Sequence, residues 1–127
     1  MDFARKTILV AGSLPVRLSV IDTGPSEGAA RGTESALMIT LGTGIGGAIL
    51  LNGRVFRGRN GMAGEFGHMQ VVPDGRSCHC GGTGCWEEYC SGSALVRYAR
   101  ESFGQQPTML EELCAGQPAR LTGPMVT

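Results

Sequence analysis

Three thiols stand within eight residues of one another in this chain: Cys78, Cys80 and Cys85, at C-x-C-x4-C spacing. Soft thiolates grouped in this way, joined by an imidazole, make a tetrahedral zinc site. Gly81, Gly82 and Gly84 lie among them and allow the backbone to turn sharply enough to bring three sulfurs to one ion. A fourth donor comes from His68, His79 or Cys90, all close in sequence. Four protein ligands leave no open coordination position, so such an ion is structural. Its binding would supply on the order of 10 kcal/mol of coupled folding free energy, as much as a typical domain has in total. Two carboxylates, Glu65 and Glu87, flank the cysteines. Carboxylates held beside a rigid loop accept several hydrogen bonds in fixed directions, which suits a polyhydroxylated ligand.

A second stretch, Gly42-Thr43-Gly44-Ile45-Gly46-Gly47, offers bare amides and a hydroxyl. Such a loop suits a phosphate, although strand-glycine-strand also describes an ordinary tight turn. It contains no Gly-Lys-Ser/Thr and is no dinucleotide fingerprint. No helix follows it in sequence to add a dipole. Asp22 to Ser26 has the spacing of an acidic phosphate loop but reads as a turn, because Pro25 removes an amide.

The elements around these residues follow from periodicity and breakers. Thr7–Ala11 and Arg17–Ile21 each read as a short strand. Residues 35–41 read as a buried strand and Ala48–Leu51 as a second, followed by the hairpin signal Asn52-Gly53 and a returning strand at 54–57. Met69–Val72 reads as one more short strand. Ser91 or Ser93 caps a helix reaching about Phe103, with Leu95, Val96, Ala99 and Phe103 on one face. Thr108 and Glu111 have capping-box spacing for a helix over Met109–Ala115, with Gly116 at its C′ position. Thr122-Gly123-Pro124 opens another helix just before the end, as expected of a truncated polypeptide. Cys114 reads as a core thiol, Trp86 as a core aromatic, and Arg54, Arg57 and Arg59 as a solvated hairpin edge.

At 127 residues the chain is long enough for one domain and too short for two ordinary ones. Its formal net charge of zero gives no electrostatic footprint for nucleic acid or membrane. No apolar run approaches ~18 residues, and no secretory signal opens the chain. Five cysteines, an odd number in a chain without such a signal, favour metal and core roles over disulfides and a cytoplasmic location.

Glu65-x-Gly67-His68, followed by Cys78-x-Cys80-Gly81-x-x-Gly84-Cys85-x-Glu87-x-x-x-Ser91, resembles the signature of the ROK family of sugar kinases and sugar-responsive repressors. Leu41 to Gly47 is similar to the second phosphate loop of its kinases. The likeness covers residues 29–127, while residues 1–28 lie outside the pattern. It implies an α/β chain forming part of an actin-like, ribonuclease H-like ATPase fold: an antiparallel strand meander, a zinc loop and helices. It implies a structural zinc on His68, Cys78, Cys80 and Cys85, sugar contacts from Glu65, His68 and Glu87, and nucleotide phosphates on Gly42, Thr43, Gly44 and Gly46. The activity implied is phosphorylation of glucose, or a related hexose, at the 6-hydroxyl by ATP with Mg²⁺, in a homo-oligomer when the family's full length is present. The family's base, an aspartate, corresponds to about Gly12–Val20, where no carboxylate occurs. Its first phosphate loop and its C-terminal adenosine-binding portion also have no counterpart, so the chain reads as the middle of a kinase, inactive alone. The rival expectations are a repressor of the same family and a non-catalytic zinc and sugar-binding module.

Overall fold

The computed structural model describes residues 7–11, 32–106 and 108–126. Its sheet has four strands in the order β1-β2-β3-β4, with β1 at Thr7–Ala11, β2 at Ala36–Leu41, β3 at Ile45–Leu51 and β4 at Arg54–Val55. The expected meander holds for the last three, which pair antiparallel. β1 stands outside that meander and joins the sheet in parallel, with Thr7–Ala11 alongside Ala36–Thr40. Parallel pairing needs a long connection, which the chain between the two strands supplies. The expected strand at 17–21 and the turn at 22–26 lie outside the described residues.

Asn52 and Gly53 have φ of 52° and 71°, the paired positive values of a type I′ turn. The returning strand is shorter than expected, with only Arg54 and Val55 in the ladder, although the Phe56 amide still reaches the Ile49 carbonyl at 2.8 Å. β3 in turn begins earlier than expected, at Ile45. Gly46 and Gly47 therefore sit in the sheet opposite Thr40 and Ile39, and the glycine loop contracts to Gly42–Gly44. The side chain of Phe66 covers Gly47, where a Cβ would collide with its ring.

Met69–Val72 is not a strand. Val71 and Val72 amides both donate to the Gly84 carbonyl, and the Trp86 amide donates to Met69, so this segment serves as backing for the cysteine loop. With no longer neighbour beside it, only the isolated bridge Gln70–Cys85 forms.

Helix α1, Glu87–Cys90, and helix α2, Gly92–Glu101, meet at Ser91. Ser91 is extended and buried; its amide closes α1 on the Glu87 carbonyl, and its hydroxyl accepts from the Ala94 amide at 3.1 Å. One residue thus ends one helix and caps the next. The buried face of α2 centres on Ala94, whereas Leu95, expected on that face, is exposed. Helix α3, Met109–Leu113, is shorter than expected because Ala115 and Gly116 both take positive φ. Thr108 stands at its N-cap without a side-chain cap bond. Helix α4, Gly123–Val126, starts where the sequence places it. Leu121 and Cys114 are fully buried beside these helices. No helix among the described residues is long and apolar enough to cross a membrane.

Candidate metal and sugar site

The cysteine loop folds back on itself through the bridge Ser77–Thr83, with the Cys78 amide on the Gly82 carbonyl at 2.9 Å and the Gly81 amide on the Cys78 carbonyl at 3.0 Å. Gly84 takes φ +71°, and a Cβ there would drive into the Val72 carbonyl. The backbone at this point tolerates only glycine. The fold gathers the nitrogen of His68 and the sulfurs of Cys78, Cys80 and Cys85 within 4.8 Å of one another. His68 Nδ1 lies 3.5 Å from Cys78 Sγ, and Cys80 Sγ lies 3.6 Å from Cys85 Sγ. Four donors around zinc at ~2.3 Å for sulfur and ~2.05 Å for nitrogen stand about 3.5–3.8 Å apart. The four residues fit such an ion.

Protonation in the metal-free cluster is uneven. Burial, and then hydrogen bonds from Cys80 and Cys78, push the Cys85 thiol up to about 12. Backbone donation from Gly82 pulls Cys80 down. For Cys78, the Cys80 amide acts downward, but burial and the Cys80 thiol act upward and the net direction is up. Of the other possible ligands, Cys90 is exposed and stands outside the cluster. His79 also stands outside those four, with its Nδ1 3.9 Å from Cys78 Sγ and 3.5 Å from Glu87 Oε1. The Cys78–Gly81 turn folds its ring edge-on to His68, with centroids 5.2 Å apart.

Glu87 is the junction of the site. Its Oε2 accepts from the Ile45 amide at 3.3 Å, and its Oε1 lies 3.6 Å from His68 Nδ1. It starts α1, so the Ser91 corner fixes it relative to α2. The first amides of α2 in turn bond the glycine loop, Gly92 to the Gly42 carbonyl at 2.7 Å and Ser93 to the Thr43 carbonyl at 3.2 Å. A helix N-terminus therefore does meet the glycine loop, brought there by tertiary packing rather than by sequence order. Its leading amides are spent on loop carbonyls, so it holds the loop in shape. Gly42 and Thr43 remain at the edge of a cleft of about 770 Å³, shared with Arg97 and Thr122.

Glu65 precedes the 3-10 turn Phe66–His68 and is exposed; its carbonyl accepts from the His68 amide at 3.1 Å, while its carboxylate makes no hydrogen bond or ion pair to a described residue. Gly67 is buried against the Ile45 carbonyl. Trp86 is half-buried, Cys114 is buried, and Arg54, Arg57 and Arg59 are exposed. Sequence reasoning missed the Ile45 amide and Arg97, which donates to the Glu88 carbonyl and lies 3.6 Å from its carboxylate. The first is a backbone group and leaves no sequence signal; the second shows only as a cation nine residues beyond an acid.

The model of the ROK family matches residues 25–119. A glucokinase of Streptomyces coelicolor is 46% identical over 99 residues, covering 76% of this chain and 31% of that protein. The xylose repressor of Bacillus subtilis is 40% identical over 70 residues, covering 55% of this chain and 18% of the repressor. Among solved structures, a ROK family glucokinase from Streptomyces griseus in complex with glucose and AMPPNP superposes with a TM-score of 0.69 at 46% identity, over 77% of this chain and 32% of that one. A ROK hexokinase from Thermus thermophilus gives 0.58 at 47% identity, over 72% and 32%. The chain spans under a third of the length of these relatives. Its strands and helices are part of the actin-like ATPase fold of the ROK kinases. With three quarters of its length inside the family pattern, the chain belongs to the ROK family.

Proposed function

We propose that residues 29–127 carry the sugar-recognition and phosphate-loop portion of an ATP-dependent glucose kinase. The observation that supports this most is the double role of Glu87: one oxygen fixes the strand that follows the glycine loop, and the other faces the histidine of the metal cluster. A single carboxylate thereby couples the place for a sugar to the place for a phosphate. Glu65, His68 and Glu87 are the sugar contacts. Gly42, Thr43, Gly44 and Gly46 border the place for the nucleotide phosphates, with Mg²⁺ accompanying ATP. His68, Cys78, Cys80 and Cys85 hold a structural zinc, which supplies rigidity and no open coordination position.

The chain's own residues then bind and orient. His68 ligates through Nδ1, the atom nearest Cys78, which leaves Nε2 protonated and able to donate to a sugar hydroxyl. Glu65 and Glu87 accept from sugar hydroxyls, and charge-assisted bonds of this kind are worth about 1.5–3 kcal/mol each. Transfer of the γ-phosphoryl group requires a base to take the proton of the 6-hydroxyl. None of the residues between Gly12 and Val20 is a carboxylate, so this chain alone binds sugar without phosphorylating it.

The test is calorimetric titration of the zinc-loaded chain with glucose. Wild type is expected to bind and Glu87→Gln to lose binding. A folded wild-type chain that gives no heat with glucose sinks the proposal. A second reading, the sugar-sensing part of a repressor, rests on the 40% identity to the xylose repressor. It uses the same sugar contacts, and glucose phosphorylation by a longer protein containing this chain separates the two.

A further inference from the structure

Beside the proposed zinc site stands another group of donors, which shares Cys78 with the first ion and Glu87 with the sugar. Cys78, His79, Glu87 and Glu88 bring one ligand atom each within 4.8 Å of the others. Cys78 Sγ is 3.9 Å from His79 Nδ1 and 3.8 Å from Glu87 Oε1, and His79 Nδ1 is 3.5 Å from that same oxygen. These separations are within a few tenths of an ångström of the edges of a tetrahedron of sulfur, nitrogen and oxygen donors around zinc. The two imidazole–carboxylate separations, 3.5 Å for His79 and 3.6 Å for His68, are also too long for good N–H···O bonds, which centre near 2.9–3.0 Å. Two imidazoles thus face one carboxylate oxygen without bonding it closely, and the Cys78 thiol donates to it only at 3.8 Å, which leaves that oxygen free to take a cation.

Charge favours the same conclusion. Three thiolates and the carboxylates of Glu87 and Glu88 carry five negative charges. One divalent ion leaves three, crowded within a few ångströms, and among the described residues the cation paired with them is Arg97, at 3.6 Å from Glu88. Like charges so close repel strongly, and a second dication removes most of that repulsion. A thiolate sulfur has lone pairs enough to bridge two ions, so Cys78 can serve both. The His79 side chain is 76% exposed, which gives an ion a route in from solvent.

We infer that this chain binds a second zinc-class ion through His79, Glu87 and Glu88, with Cys78 bridging, and that this ion competes with sugar for Glu87. The inference rests on the reading above that His68, Cys78, Cys80 and Cys85 hold the first ion and that Glu87 contacts the sugar. Sugar binding is then sensitive to free metal: the one-ion form takes sugar, and the two-ion form has Glu87 Oε1 occupied.

Zinc titration followed by native mass spectrometry, alongside glucose calorimetry at one and two equivalents of zinc, tests this. Wild type is expected to take two ions and His79→Ala one. Glucose affinity of wild type is expected to fall about tenfold or more at the second equivalent, the worth of a charge-assisted hydrogen bond, with His79→Ala unaffected. Wild type saturating at one ion, or His79→Ala still taking two, overturns the second site and leaves the first intact. Two ions with unchanged glucose affinity overturns the competition. A wild-type chain taking no zinc overturns the first site and this inference together. If glucose fails to bind even the one-ion form, the sugar reading and the competition fall, while the ion count still decides the second site.

Discussion

The Ile45 amide donates to Glu87 Oε2 at 3.3 Å, across 42 residues of sequence. Ile45 is buried, so its N–H has no ready substitute partner in water. Removing the acceptor leaves a buried donor unsatisfied, at about 1–3 kcal/mol. Glu87→Ala is therefore expected to lose stability by that amount in urea denaturation as well as losing sugar. Glu87→Gln keeps an oxygen for Ile45 and is expected to stay within about 1 kcal/mol of wild type, losing only the charge-assisted sugar contact. Equal stability losses in the two variants would show that the Ile45 bond contributes nothing.

Close approach of backbone to backbone underlies a second prediction. A Cβ on Gly67 would run into the Ile45 carbonyl, whereas one on Gly53 meets nothing within 4 Å. Gly67→Ala must shift a strand or the 3-10 turn carrying His68, and is expected to cost about 1–3 kcal/mol and to weaken metal binding. Gly53→Ala pays only for its φ of +71°, about 1 kcal/mol, with metal affinity unchanged. Thermal melts and a zinc–chelator competition on both variants distinguish steric from conformational cost.

Ser91 carries the third. Its hydroxyl caps α2, and the first two amides of that helix hold the carbonyls of Gly42 and Thr43. Ser91→Ala is expected to cost about 1 kcal/mol, the usual worth of an N-cap. Because α2 braces the glycine loop, hydrogen exchange at Gly42–Gly44 should quicken in this variant. Exchange unchanged there would mean that the loop keeps its shape without the cap.

Local chemistry was the legible part of this chain. Asn52-Gly53 dictates a type I′ turn, Ser91 caps α2, and the thiol spacing with its glycines converges on one point. Each depends on residues within a few positions of one another. What sequence reasoning missed is set by packing at long range: the parallel pairing of β1 with β2, the arrival of the α2 N-terminus at the glycine loop, and the Glu87–Ile45 bond. Strand ends shifted for a similar reason. Gly46 and Gly47 look like loop by propensity, yet they pair in β3 because Phe66 fills the space that their missing side chains leave beside Gly47.

The thiols give the last prediction, on pH. Without metal, burial and neighbouring thiols hold Cys85 up to about 12 against an ordinary 9.0, and Cys78 is also raised. Both therefore carry protons at neutral pH, and a metal must displace them. Zinc loading is expected to release protons, seen as heats that differ between buffers of different ionisation enthalpy, and its apparent affinity should rise with pH. Stability of the metal-free chain runs the other way. Above pH 9 the unfolded thiols lose protons that folded Cys85 keeps, so the folded state binds more protons and stability falls as pH rises from 9 towards 12. With zinc bound the thiolates are already formed, and that alkaline loss should vanish. Urea denaturation at pH 8 and pH 10, with and without chelator, measures both arms. A metal-free chain equally stable at the two values would show that Cys85 ionises as readily folded as unfolded.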